Sequence, residues 1–482
     1  MAKRLTAFIF ILVLPPIILH YYGAANAAAK AVFISTILLW ILEIIPLAAT
    51  GILIPILISI YGIFEPKDAF SSFGSDILFL FLGCFLMTRA MQKHGLDKRM
   101  AYFLLSTRLG ESSPAIMIAG VASFCWFLSM WVSNTATAAI MTPICIGIIN
   151  SLRGEFKNEN ELKNMSLRLL LCCAFAASIG GLVTPVGSPP NLIAIDLLQQ
   201  KGISISFLKW IIICLPLSIC MLLALFVILA WLYPVGKITS TNVAENFKNS
   251  LKELGPVKTS EVQVFCIFML AVCCWILPEF LALAFPQSVL INTIQSRLSL
   301  SIGALAPASL LFILPVREKG EVTVNLNWAD AAQIEWGTIL LFGGGLTIGA
   351  MLSSTGLAGE ISTSLFQSFG DSPLLFGLFI VSVSLLLSEF ASNTAAAAML
   401  IPLILSSPFV GADTMVSFTF ACVFGCSFGF MLPVSTPPNA IIYSSGYVPA
   451  RQLMKAGVSF DVCGIILGFL FAIILWPKLG LF

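Results

Sequence analysis

Two short polar clusters interrupt an otherwise apolar chain, and both read Ser-Asn-Thr: Ser133-Asn134-Thr135 and Ser392-Asn393-Thr394. Further along each half comes a proline-bounded kink, Val186-Gly187-Ser188-Pro189-Pro190-Asn191 and Val434-Ser435-Thr436-Pro437-Pro438-Asn439. Hydroxyls and amide carbonyls are hard oxygen donors that can replace the water shell of a small cation. Ser129, Ser133, Asn134 and Ser188 supply them in the first half, and Ser388, Asn393, Ser435 and Thr436 in the second, together with backbone carbonyls freed at a helix break. A helix that starts at such a break also presents N–H groups and the positive end of its dipole, which suits an anion. The Pro-Pro pairs fit the first turn of such half-helices, where an N–H would be unpaired in any case. Asn191 and Asn439 either donate to the ligand or brace the loop. Two breaks of each kind predict two cations beside one anion carrying two carboxylates. A lone buried Ser-Asn-Thr is more often interhelical glue; its duplication, each copy paired with a Pro-Pro-Asn break, favours a binding site.

The elements that must hold these clusters are membrane helices. The chain has 482 residues, 59% hydrophobic and only 10% charged, with a mean hydropathy of +1.00. A soluble domain carries about 25% charged residues. The apolar runs are continuous rather than alternating and approach the roughly 20 residues of a spanning helix, which excludes a barrel. The net charge of +2 gives no reason to expect nucleic acid. The thirteen cysteines lack metal-ligand spacing, and Cys172-Cys173 and Cys273-Cys274 read as small helix residues. Gly343-Gly344-Gly345 is followed by no Lys-Ser/Thr and reads as a helix-packing surface, not a phosphate cradle. With no nucleophile–base pair either, the chain is not expected to be an enzyme.

Spans are expected at 6–22, 29–48, 50–63 and 75–92, followed by an amphipathic interfacial stretch at 97–109 holding Lys98, Arg99 and Arg108. Runs 113–131 and 135–152 meet at the first cluster as a re-entrant hairpin, since non-helical backbone at membrane depth must be buried or line a cavity. Span 167–184 leads through the first kink to half-helix 192–200. Spans 207–233 and 261–283 flank a solvated loop, 236–260. Spans 299–315 and 336–352, a short stretch 357–368, a second hairpin 374–390/394–406, span 414–432 with half-helix 440–446, and span 454–477 complete the order. Lys3, Arg4 and Ala25-Asn26-Ala27 resemble a signal peptide, but the run is long and carries Pro15-Pro16, so a retained first helix is expected.

With the N-terminus inside and the hairpins re-entrant, nineteen of the 25 Lys and Arg fall on the cytoplasmic side and six on the other. The halves then repeat with inverted topology. Ser133 and Ser392 lie 259 apart, Ser188 and Thr436 lie 248 apart, and Leu80–Cys84 aligns with Leu341–Gly345 at an offset of 261. Inverted repeats with interrupted segments at matching positions point to a transporter site; a channel with re-entrant loops is the rival from another class. The organisation divides as 1–110 N-terminal helices, mainly scaffold; 111–233 first hairpin, broken helix and following span; 234–260 cytoplasmic loop; 261–370 second scaffold group; 371–453 second hairpin and broken helix; and 454–482 last helix. Glu389, ionisable near membrane depth, is either a structural partner of an Arg or backbone group or a tuner of the adjacent cation site.

These motifs closely resemble the divalent-anion:sodium symporter (DASS) family, which includes bacterial and animal di- and tricarboxylate transporters. Ser129-Met130-Trp131-Val132-Ser133-Asn134-Thr135 is the most specific stretch, and the likeness extends over nearly the whole chain. The resemblance implies an all-α polytopic membrane protein with about eleven spanning helices, two re-entrant hairpins, a homodimer and an elevator-like movement. It implies one sodium site at Ser129, Ser133, Asn134 and Gly187, and another at Ser388, Ala391, Asn393 and Ser435. It implies substrate contacts from Ser133, Asn134, Thr135 and Ser188, and from Ser392, Asn393, Thr394 and Thr436. The expected function is sodium-coupled import of C4-dicarboxylates such as succinate, malate and fumarate across a bacterial inner membrane. A sodium-independent dicarboxylate exchanger and a sulfate transporter on the same scaffold are the alternatives within the family.

Overall fold

The computed structural model describes residues 2–21, 26–107, 113–153, 155–156, 158–236, 243–318, 321–367, 372–407 and 410–480. The chain is a helical bundle, and its only strands among these residues form a small antiparallel hairpin, Pro315–Glu318 with Glu321–Val324. Helices fall at nearly all the expected places. The first hairpin is Pro114–Ser129 and Asn134–Leu152; the second is Pro373–Phe390 and Asn393–Leu405. The broken spans are Glu159–Gly180 with Pro189–Gln200, and Ala412–Ser427 with Pro437–Ser444. Both Pro-Pro pairs open their half-helices, as expected.

Among the described residues, seven helices, or eight counting one bent pair, are long and apolar enough to cross a membrane. Others of the expected spans are shorter, such as Ala27–Leu42, Leu47–Ile60 and Leu300–Leu310. At 1.5 Å per residue, an eleven-residue helix covers about 16 Å, half a hydrocarbon core. Expected span 299–315 is thus shortened to Leu300–Leu310, because its last residues leave for the strand hairpin. Length alone does not mark re-entrance, since Asn134–Leu152 and Pro373–Phe390 both pass as spans.

Two other segments differ from expectation. The loop at 236–260 contains a helix, Val243–Glu253, packed on Leu96–Leu105 with Tyr102 and Phe247 ring centroids 5.6 Å apart. The amphipathic stretch ends as a helix at Leu105; Arg108 and Leu109 lie outside the described residues, as does Ala25 of the signal-like motif. Charged groups cluster at this end of the bundle. Arg99 pairs with Glu261 and donates to Gly255 O at 2.9 Å, and Lys93 meets Asp330 at 2.8 Å.

The repeat is visible as matched packing. Leu47–Ile60 runs along Trp336–Ser354, and Leu300–Leu310 runs along Asp76–His94. The first hairpin packs on Glu159–Gly180 as the second packs on Ala412–Ser427. Asn134–Leu152 touches Pro437–Ser444, and Asn393–Leu405 touches Pro189–Gln200, so each hairpin is stitched to the other half's broken span. The glycine-rich segment is a packing surface: a Cβ on Gly344 would lie 2.5 Å from Gly51 O. One contact is unequal. Trp336–Ser354 packs closely on Asn393–Leu405, whereas Asp76–His94 and Asn134–Leu152 barely touch. A cavity opens between them.

Candidate functional site

The four polar pieces come together at one cavity, as the sequence leads one to expect. Ser133, Asn134, Thr135, Ser188, Ser392, Asn393, Thr394 and Thr436 all line one cavity of about 540 Å³, with Gly187 and Ser435. Four helices begin on it. Their N-caps are Ser133, Ser188, Ser392 and Thr436. Four positive helix ends therefore converge where the lining contains no Lys, Arg or His among the described residues.

The four helix starts are not equivalent donors. Pro189-Pro190 and Pro437-Pro438 remove the first two N–H groups of their half-helices. The third is taken: Asn191 N bonds Ser188 O at 3.2 Å, and Asn439 N bonds Thr436 Oγ1 at 3.4 Å. Those helices bring a dipole and a hydroxyl, which corrects the expectation that they expose amides. In the hairpins, Ser133 Oγ accepts Ala136 N at 3.3 Å and Ser392 Oγ accepts Ala395 N at 3.2 Å. The preceding amides of Asn134, Thr135, Asn393 and Thr394 stand in the first turn, where the helix offers no carbonyl to pair them.

Behind the cavity lie two oxygen clusters. Ser129 Oγ is 2.7 Å from Asn134 Oδ1, and Ser388 Oγ is 2.7 Å from Asn393 Oδ1. Ser388 Oγ is also 2.7 Å from Cys426 O. One hydroxyl hydrogen cannot serve both acceptors fully, so the spot is short of positive charge. Gly181 sits so close to the first cluster that a Cβ there would be 2.2 Å from Asn134 Oδ1, and one on Gly187 would be 2.5 Å from Gly181 O. Ser129 and Ser388 are fully buried, and Ala391 is 3% exposed; these three stand behind the cavity lining rather than on it. By repeat position Ser133 corresponds to Ser392 and Gly187 to Ser435, so Ala391 has no oxygen-bearing side-chain twin in the other half.

Asn191 and Asn439 brace the loops. Asn191 Nδ2 donates to Gly181 O and Thr184 O, both at 2.8 Å, and Asn439 Nδ2 donates to Leu432 O at 3.1 Å and Ser435 Oγ at 3.2 Å. Each Oδ1 remains buried without a protein donor. The two breaks are tied to their hairpins by opposite chemistry at matching positions. Thr184 donates its hydroxyl to Met130 O, whereas Glu389, the counterpart of Met130, accepts Met431 N and Leu432 N at 2.8 Å each. Glu389 thus serves as a partner of backbone groups. Asp461 adds a third such bond, from Phe430 N at 3.1 Å.

Sequence reasoning missed Gly181, Thr184, Asp461 and Glu335. Glu335 lines the cavity just before Trp336–Ser354 and accepts the Ser133 hydroxyl at 3.1 Å. A second polar cavity of about 360 Å³ includes Asp76, Glu279 and Ser301, and borders the starts of Asp76–His94 and Leu300–Leu310, the repeat counterparts of the helices at the first cavity's mouth. None of the Ser-Asn-Thr residues reaches it.

A helical membrane bundle of two matched halves, whose hairpin tips and broken helices enclose one polar cavity, has the architecture of a secondary transporter. Residues 2–482 match the family described as the sodium:sulfate symporter transmembrane region, and the chain belongs to that family. It is 34% identical to the sodium-dependent dicarboxylate transporter SdcS of Staphylococcus saprophyticus, over 92% of this chain and 85% of the relative. It is 33% identical to SdcS of Staphylococcus aureus strain USA300, over 91% and 85%. Among solved structures, the Alcanivorax borkumensis YdaH transporter aligns with a TM-score of 0.51 at 13% identity, over 84% of this chain and 85% of that one. Neisseria gonorrhoeae MtrF aligns at 0.54 and 12%, over 84% and 83%. These two likenesses speak to the fold alone.

Proposed function

We propose that this protein imports C4-dicarboxylates such as succinate, malate and fumarate with sodium, working as an elevator-type homodimer in a bacterial inner membrane with its N-terminus cytoplasmic. The observation that carries this is the convergence of four helix N-termini on one cavity lined by Ser, Thr and Asn, backed by two buried oxygen clusters, of which the one at Ser388 holds more acceptors than its hydroxyl can serve. Two sets of hairpin donors suit an anion with two carboxylates. The names of the SdcS relatives support the same substrate class and ion.

In this reading one sodium sits with Ser129, Ser133, Asn134 and Gly187, and another with Ser388, Ala391, Asn393 and Ser435. The substrate meets Ser133, Asn134, Thr135 and Ser188 from one half and Ser392, Asn393, Thr394 and Thr436 from the other. A dianion entering an inside-negative cell works against about 2.3 kcal/mol per charge per 100 mV. Two sodium ions cancel that work; a third would let the membrane potential drive uptake.

The cavity is bordered by Leu47, Ala48, Glu335, Gly337 and Thr338, at helix ends that the charge distribution puts on the cytoplasmic side. The conformation is then inward-facing. Unequal burial at repeat-related positions supports an alternating machine: Trp131 packs on Phe207 and Phe268, while its counterpart Phe390 is 59% exposed. The hairpins and broken spans form the moving unit, and the helices of 1–110 and 261–370 form the scaffold.

Uptake by proteoliposomes tests the proposal. Succinate accumulation is expected to require an inward sodium gradient. Uptake that needs only internal dicarboxylate would replace symport with exchange, and a preference for sulfate over succinate would change the substrate.

A further inference from the structure

Among the described residues that line the central cavity, Glu335 is the one ionisable side chain. A carboxylate is an unexpected resident of a site proposed to receive a dianion, and its partner is specific. Its Oε1 accepts the hydroxyl of Ser133, an expected substrate contact, at 3.1 Å. A serine hydroxyl has a single proton to give. Ser133 Oγ also caps the hairpin helix by accepting Ala136 N. A transported carboxylate can therefore take the Ser133 proton only when Glu335 lets it go.

The two residues sit on different elements. Ser133 is at the tip of the first hairpin. Glu335 precedes the helix Trp336–Ser354, which is anchored on Leu47–Ile60 and on the second hairpin. The repeat does not reproduce the contact: Ser392 caps Ala395 N, and among the described residues no carboxylate lines the cavity beside it. Glu335 keeps a substantial exposed surface, so water can hydrate it when it leaves Ser133.

We infer that Glu335 is a tethered carboxylate that competes with the transported dianion for Ser133, weakening substrate binding and hastening release on the side to which the cavity opens. This rests on the dicarboxylate reading above. Two effects act together: like charge opposes the incoming carboxylate, and the bond to Ser133 must break before a new one forms.

The test is a double-mutant cycle on purified protein at saturating sodium, with succinate binding followed by calorimetry and release by the dissociation rate of labelled succinate. Glu335→Gln is expected to bind succinate about tenfold more tightly and to release it correspondingly more slowly. In a Ser133→Ala background the same substitution should gain less than about threefold, because the competition is gone. Glu335→Ala serves as a second variant if the glutamine form does not fold. Wild-type affinity in both Glu335 variants overturns the inference. So does an equal gain with and without Ser133, which would reduce Glu335 to charge acting through space. A wild type that binds sodium and succinate while Glu335→Gln changes nothing removes only this inference; a wild type that binds none of succinate, citrate or sulfate removes the functional reading with it.

Discussion

Ser388 holds its hydroxyl 2.7 Å from Asn393 Oδ1, and Ser129 stands at the same 2.7 Å from Asn134 Oδ1 in the other half. The two oxygen pairs have equal spacing and stand at equivalent places in a repeated sequence, so both halves present the same donor geometry. Asn134→Ala and Asn393→Ala are each expected to abolish sodium-dependent uptake, a loss of about a hundredfold or more, while gel filtration gives the wild-type elution profile. Ser388→Ala should instead raise the sodium concentration for half-maximal uptake by about tenfold and spare uptake at saturating sodium. Unchanged sodium dependence in these variants would remove the clusters from the ion pathway.

Gly181 tests the first cluster without deleting a ligand. Its missing side chain is what lets the end of Glu159–Gly180 lie against Asn134. Gly181→Ala should push the asparagine carbonyl aside, costing about 1–3 kcal/mol in stability and impairing sodium activation. A melting curve and a sodium titration on the same preparation separate the two effects; normal values in both would show that the loop yields freely.

Glu389 is fully buried and accepts two backbone amides. Glu389→Ala leaves both unpaired and is expected to cost about 2–5 kcal/mol, seen as an earlier thermal transition in detergent. Glu389→Gln keeps one oxygen acceptor and should fall between. Equal stability of all three proteins would show that the loop needs no such tether.

The orientation of the cavity can be read with a thiol. On a background with exposed Cys266 and Cys273 replaced by serine, Thr338→Cys should react with an impermeant maleimide applied from the cytoplasmic face. Substrate with sodium should slow the reaction. Labelling from the opposite face alone would invert the topology.

The paired motifs were legible because polar residues have few reasons to repeat inside apolar sequence, and the helix positions because apolar runs and their breaks are local signals. The Pro-Pro pairs announced their helix starts for the same reason. Glu335 was not legible: a glutamate at the edge of a span looks like any solvated boundary charge, and only the fold brings it to Ser133, 202 residues away. Asp461 was hidden similarly, since its partner Phe430 lies on another element. The helix Val243–Glu253 was lost in a polar stretch because its stabilising contact, Phe247 on Tyr102, is tertiary.

The cavity's lack of cationic side chains has a consequence for leakage. Two unit charges about 5 Å apart interact by roughly 3 kcal/mol at an effective dielectric of 20. A dianion arriving without its ions meets a carboxylate and, among the described lining residues, no Lys or Arg to offset it. With sodium in the two oxygen clusters, as proposed above, the ions would supply the full positive charges that the lining lacks, and an ion-free carrier would hold the dianion by helix ends and hydroxyls alone. A permanent arginine would hold the cargo in every state and let it slip across unaccompanied. Lending the positive charge from solution makes the fare-dodging route the weakly bound one, and guards the ion gradient without any moving gate.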